Sequence, residues 1–461
     1  MSPLLPPVPL VGDDVLVPCV DGEQREYLSA DSAASTAALP AVLEAVESFV
    51  PWYSSVHRGA GYKSQRATRA FEAAREAVLR FAGRQGTDDV AIFCRNATEA
   101  VNHLAYCLRL SPDDVVVTTV VEHHANLLPW ARAASCRYVE CSPEGTFTAA
   151  AVEEALGAPP RPRLLAVTAA SNVTGWVPPL DELVSAAHAR GVPVLVDAAQ
   201  LAPHRPLPKE ADFVAWSGHK MYAPFGTGVL IGPRQAFTEG DPFLVGGGAV
   251  DLVTLDEVIW TGVPEREEAG SPNVVGAVAL AAAIEQFEAM GWPALRAHDR
   301  ELARALRAGI AAVPGVRLLG PALDVETLPV ATFSVDGMPH GLVAARLAAE
   351  HAIGVRHGCF CAHPYLARLL GLGPAEMEHH RAAARAGDRA AMPGAVRASF
   401  GVNASLASVE RFCRALAQVT SGEPPPVRYV QDPATGDFCP SPSAAPWVAT
   451  NRPHPASCSP G

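Results

Sequence analysis

Lysine is nearly missing from this chain: Lys63, Lys209 and Lys220 are its only three, among 36 basic residues in 461. Arginine stands almost everywhere else that a positive charge is needed, so a reaction requiring an amine nucleophile has few candidates. Long basic runs are absent too, and the net charge is −12. That argues against nucleic acid or an anionic membrane as partner. The longest uninterrupted apolar run, Val274 to Ile284, ends at Glu285 and is too short to span a bilayer. The stretch from Met1 to Asp14 is Pro-rich and has no basic segment, unlike a secretory signal. Ten cysteines without a regular framework imply reduced thiols and a cytoplasmic setting.

What is abundant is apolar: 49% of residues, more than one compact core accommodates, so two domains are expected. Residues 1–30 read as an irregular arm, 31–285 as a large domain, 286–420 as a smaller α+β domain, and 421–461 as a tail rich in Pro and Ser. Apolar residues from Gln65 to Phe81 recur at helical spacing. Strand-like runs follow at Val90–Cys94, Val115–Thr119, Leu164–Ala169, Val192–Val196, Asp212–Ala215 and Val229–Ile231, with helical stretches at Thr98–Leu110 and Asp181–Arg190 between them. Such alternation predicts an α/β fold, a mainly parallel sheet covered by helices on both faces. Beyond Glu285, helices at Trp292–Val313, Gly341–His351 and Ser405–Thr420 frame strands at Val330–Val335 and Ile353–Arg356.

Two stretches of the large domain carry chemistry. Val192 to Gln200 is a buried strand that ends in a carboxylate, Asp197, and ligands in such folds sit beyond the carboxyl ends of the strands. Asp197 as a mere loop cap is the plain alternative. Trp216-Ser-Gly-His-Lys220 then leads through a Gly-rich turn to Gly228. Lys63 and Lys209 lie in polar or Pro-flanked surroundings and read as surface charges. Lys220 sits among apolar residues and glycines, where an amine loses hydration, its pKa falls and it becomes a competent Schiff-base nucleophile.

With these stand several ordered motifs: Tyr27-Leu-Ser-Ala-Asp31, Val56-His-Arg58-Gly, Arg95-Asn-Ala-Thr98, Glu122-His123-His124-Ala-Asn126, Ser171-Asn172-Val-Thr-Gly175, Ala269-Gly-Ser271-Pro-Asn273 and Val355-Arg-His-Gly-Cys-Phe-Cys361-Ala. From about Tyr27 to Thr420 the chain resembles the fold type I, pyridoxal-phosphate-dependent enzymes of the class V aminotransferase superfamily, in their cysteine desulfurase and selenocysteine lyase branch. The resemblance implies pyridoxal 5′-phosphate on Lys220. Asp197 would hold the pyridine nitrogen protonated, which makes the ring a better electron sink. Gln200 would reach the ring's phenolic oxygen, and His123 would stack on its face, with His124 as the alternative. Thr98, at a helix start whose N–H groups favour an anion, would bind the phosphate with Ser217 and His219. Ser271 and Arg58 would arrive from a second subunit, which implies a homodimer. The family has Thr at the positions of Ala97 and Ser271; Ala97 lacks the hydroxyl and Ser271 keeps one. Arg397 matches the family's carboxylate-binding arginine, a role suited to its planar fork, with Asn172 helping and Arg356 as the other candidate.

The loop Gly358-Cys359-Phe360-Cys361-Ala362-His363-Pro364 decides between chemistries. Cys359 and Cys361 lack further ligands for a metal, and no metal is expected. Two inert small residues are the other plain reading. In an extended loop both side chains would point the same way, so spacing does not choose between them. The family places its nucleophile before Ala-x-Pro, which is Cys361. Arg356 and His357, just upstream, would supply positive charge to the thiols. The implied reaction converts L-cysteine to alanine, with Lys220 moving the α-proton and Cys361 receiving the sulfur as a persulfide for an acceptor, and a sulfur-acceptor protein is an implied partner. The stretch from Cys361 to Arg397 is longer than in the better-known short-loop desulfurases; the extra segment, Gly371 to Met392, reads as a helical insert that shields the site or docks a partner. The Gly-Cys-Phe-Cys form also resembles molybdenum-cofactor sulfurases, without their additional C-terminal domain. A C–S lyase, an epimerase or an aminotransferase on the same scaffold would not need Cys361. A non-catalytic scaffold would have no use for Lys220, Asp197, Gln200 and His123 together.

Overall fold

A computed structural model describes residues 5–390 and 392–441. Seven strands form the central sheet in the spatial order Asp89–Cys94, Gly228–Pro233, Phe213–Ser217, Val194–Asp197, Leu164–Thr168, Val115–Thr119, Ser135–Val139. Gly228–Pro233 runs antiparallel to both of its neighbours, and the other adjacent pairs are parallel. Val115–Thr119, Leu164–Thr168 and Phe213–Ser217 are buried at every position, as strands covered on both faces must be. Ser135–Val139 is the parallel edge, and its Ser-Cys-Arg-Tyr opening hides it from a search for apolar runs. The helix after the Asp89–Cys94 strand is Ala97–Cys107, capped by Asn96, whose Oδ1 accepts the Glu99 N–H at 3.0 Å. No single helix among the described residues is long and apolar enough to cross a membrane. The apolar helix Val274–Met290 instead buries Leu280, Ile284 and Phe287 in the main core.

A second sheet is four-stranded and antiparallel, ordered Val316–Leu319, Val330–Val335, Ala395–Ser399, Arg356–Gly358. Helices Trp292–Ala311, His340–His351 and Leu406–Val419 share a core with it through Leu306, Leu347 and Phe412. The N-terminal segment joins this body, because Leu28–Ser29 pairs with Ile353–Gly354 and Ala30 is buried in the same core. Composition gives residues 421–461 no regular structure, yet Tyr429–Gln431 and Phe438–Pro440 form an antiparallel hairpin; residues 442–461 lie outside the described part. In the Gly371–Met392 segment, Pro374–Arg385 is a helix with no buried residue, and Ala391 is not described.

Candidate active site

Between the carboxyl ends of the central strands and the second sheet lies a cavity of about 630 Å³. Lys220 opens onto its floor at the end of the Phe213–Ser217 strand, beside Asp197 at the end of the adjacent one. Burial draws the Lys220 amine down to about 8, against the opposing pull of Asp197. Burial pushes Asp197 up, opposed by the Ala199 N–H that donates to it at 3.0 Å and by Lys220. A carboxyl so placed calls for a cationic partner. Lys63 and Lys209 are both exposed.

Gln200 and His123 line the same cavity, and His124 is not among its walls. His123 is held at about 3 by burial and then by the charge of Lys220, so its ring is neutral and free to stack. His124 turns instead to His363, its Nε2 accepting the His363 N–H at 3.2 Å. The Gln200 Nε2 donates to the Ala33 carbonyl at 2.6 Å and keeps a second N–H. Ala97, Thr98, Ser217 and His219 form one end of the cavity. The Ser217 Oγ accepts the Ala97 N–H at 2.8 Å, which leaves the Ser217 O–H to donate outward. His219 is lowered to about 4 by burial and by Lys220. A Cβ on Gly228 would sit 2.5 Å from the Asn96 backbone, so only glycine lets the helix start approach the sheet this closely. A buried amine, a carboxyl needing a cation, a neutral imidazole and an anion-accepting helix start fit pyridoxal phosphate.

On the opposite wall, Arg397 and Arg356 face each other as register partners on adjacent strands. Asp31 bridges them, at 2.9 Å from Arg397 and 3.3 Å from Arg356. Arg397 also donates to the Asn172 carbonyl at 2.8 Å, and its buried Nε has no partner among the described residues. Asp31 stands inside a motif visible in the sequence, but its pairing depends on strands distant along the chain.

Cys361 and Cys359 both line this cavity. Phe360 and Cys361 have φ of 55° and 53°, and the Ala362 N–H donates to the Cys359 carbonyl at 2.9 Å. This is a tight turn of the kind glycine and asparagine favour, held at a cost of about 1–2 kcal/mol per side chain. Three contacts hold it: Asn172 Nδ2 donates to the Phe360 carbonyl at 2.7 Å, the His124 N–H to the Cys361 carbonyl at 2.7 Å, and the Arg397 guanidinium lies 5.2 Å from the Phe360 ring. Cys361 is exposed to the cavity and Cys359 is half-buried. His357 does not supply the charge expected of it, since burial holds its ring below the usual value. Arg356 is already committed to Asp31.

Ser271 and Arg58 are not brought to Lys220 within one chain. They line a second, separate cavity of about 510 Å³. Among the described residues, the one cluster with metal-ligand chemistry is His103, Cys107 and Glu267, outside the walls of the Lys220 cavity. There Glu267 is already bonded to His103 at 2.7 Å and to Arg266 at 3.2 Å.

Residues 27–412 match the family model Aminotransferase class-V. The chain belongs to that family. Its cofactor is pyridoxal 5′-phosphate. A probable cysteine desulfurase of Vibrio cholerae is 34% identical over 409 residues, covering 86% of this chain and 94% of that one. A cysteine desulfurase of Dickeya dadantii is 37% identical over 367 residues, covering 77% and 87%. Among solved structures, the apo cysteine desulfurase of Thermococcus onnurineus superposes with a TM-score of 0.76 at 32% identity, over 86% of this chain and 96% of its own. An Escherichia coli cysteine desulfurase in its S-sulfonic acid form gives 0.73 at 31%, over 86% and 95%.

Proposed function

We infer that this family member is a cysteine desulfurase and that Lys220, Arg397 and Cys361 divide its work. One observation carries the reading: a thiol, a buried amine of lowered pKa and a buried arginine open onto the same cavity. Arg397, oriented by Asp31 and the Asn172 carbonyl, receives the carboxylate of L-cysteine on its free N–H groups. That clamp directs the substrate's sulfur toward the Cys361 turn. Asp197 and Gln200 would hold the cofactor's ring, His123 would cover its face, and Thr98, Ser217, His219 and the Ala97 helix start would hold its phosphate. When bound, the cofactor supplies an electron sink that acidifies the substrate's α-carbon. Lys220, neutral for a large share of the time near pH 8, takes the α-proton. The Cys361 thiolate attacks the substrate's sulfur; the carbon–sulfur bond breaks, its electron pair stays with the substrate carbon, and a proton returns there to give alanine. Cys361 keeps the sulfur as a persulfide.

The second cavity, with Ser271 and Arg58, supports a homodimer in which each subunit completes its neighbour's phosphate site. So does the nearby hairpin Val250–Val253 and Val258–Trp260, which exposes Leu252, Val253, Leu255 and Ile259. The cytoplasm suits the described cysteines, none of which is in a disulfide. A product assay tests the activity: with L-cysteine and a reductant the enzyme forms equal amounts of alanine and sulfide. Pyruvate and ammonia in place of alanine, with sulfide still released, would show a C–S lyase.

A further inference from the structure

One wall of the Cys361 cavity is made of chain that lies beyond the family match, which ends at residue 412. Gln431, Thr435, Gly436, Asp437 and Phe438 of the C-terminal hairpin line the same cavity as Lys220 and Cys361, together with Arg389 from the end of the inserted segment. The hairpin is fastened at several points. Asp437 pairs with His357 at 3.2 Å, Tyr429 donates to Glu350 at 3.0 Å, and Gln431 Nε2 donates to the Ala390 carbonyl at 3.4 Å. Gly436 comes so near the insert that a Cβ there would lie 2.6 Å from the Arg389 carbonyl.

Arg356 is paired with Asp31, and Asp437 is held by a contact with the His357 ring at 3.2 Å, while burial holds both His340 and His357 below their usual values. Arg389 is exposed and makes no ion pair among the described residues, so an anionic group is the ligand that matches it.

Resting on the desulfurase reading, we propose that the hairpin and Arg389 select the sulfur acceptor: a low-molecular-weight thiol carrying a carboxylate, in preference to a thiol borne on a macromolecule. In the transfer, the acceptor's thiolate attacks the outer sulfur of the Cys361 persulfide. The bond between the two sulfurs breaks, Cys361 leaves as thiolate, and the acceptor departs as a persulfide with no net oxidant or reductant required. The wall narrows access and Arg389 holds the carboxylate at the rim.

The test loads Cys361 with sulfur from L-cysteine in the full-length holoenzyme and follows its discharge by mass spectrometry. Three probes are compared: N-acetylcysteine, N-acetylcysteamine, which lacks the carboxylate, and a poly(ethylene glycol) thiol. The ratio of the first two rates falls about fivefold in Arg389→Ala relative to wild type, the upper worth of an exposed ion pair, and the comparison cancels the intrinsic reactivities. The polymer thiol discharges wild type roughly tenfold more slowly than N-acetylcysteine, because it needs the packed hairpin to open, and Asp437→Ala with Gln431→Ala narrows that gap. A ratio unchanged by Arg389→Ala, or a polymer thiol as fast as the small one in wild type, overturns the proposal. Alanine release, measured alongside, reads the desulfurase activity separately.

Discussion

Arg356 and Arg397 sit opposite each other on neighbouring antiparallel strands, and a single carboxylate, Asp31, is shared between them. Two like charges in cross-strand register repel unless an anion lies between them. Asp31 supplies part of that anion, the Arg397 Nε has no partner among the described residues, and a substrate carboxylate bound there would supply the rest. Arg397→Ala therefore weakens binding of L-cysteine by roughly 2–5 kcal/mol, the usual cost of truncating one partner of a buried charge pair. The cofactor's visible absorbance remains, and the change induced by substrate moves to far higher concentration. Unchanged affinity would assign the carboxylate to Arg356.

Lys220 should be the residue on which borohydride fixes the cofactor, with Lys63 and Lys209 unlabelled. Its amine, drawn down to about 8, becomes nucleophilic as it loses its proton. Uptake of pyridoxal phosphate by the apoenzyme then rises with pH and levels off above about pH 8 to 9, well before the range of an ordinary lysine. A rate still climbing near pH 10 would contradict the lowered value.

The two thiols of the turn separate by substitution. Cys361→Ser abolishes alanine formation from L-cysteine while the cofactor stays bound, and Cys359→Ser retains most of it. Alkylation and mass spectrometry after reaction place the persulfide on Cys361. Full turnover by Cys361→Ser would move the enzyme to the lyases, epimerases or aminotransferases.

Glu122 is buried against Thr119 and Asn126, and burial pushes its carboxyl up to about 8. Its folded value thus lies above the unfolded one, so stability is lost as pH rises from about 4.5 through about 8. Glu122→Gln removes that loss. The melting temperature of the variant relative to wild type climbs across this window, whereas a difference independent of pH would show that Glu122 does not titrate there.

Because Ser271 and Arg58 lie away from Lys220 in their own chain, light scattering of the active holoenzyme should give a dimer. An active particle near 48.3 kDa would exclude a site shared between subunits.

The scarcity of lysine, the run of buried strands and the ordered motifs were enough to single out Lys220, Asp197, Gln200 and Arg397 from the sequence. Asp197 and the approach to Lys220 follow local rules: a strand that is apolar throughout must be covered on both faces, and its carboxyl end faces the ligand. Gln200 and Arg397 rest instead on the resemblance of their motifs to the family's. His123 and His124 are neighbours of identical type, and only packing separated them, turning one into the cavity and the other toward His363. The same holds for Cys359 and Cys361, whose spacing is silent while the Phe360–Cys361 turn gives them different exposures. Asp31 between the arginines joins residues hundreds of positions apart, and the C-terminal hairpin on the rim meets Glu350 and Ala390, to which its own sequence does not point. Their pairing rests on which surfaces meet when the two sheets pack, and no periodicity within either segment encodes that.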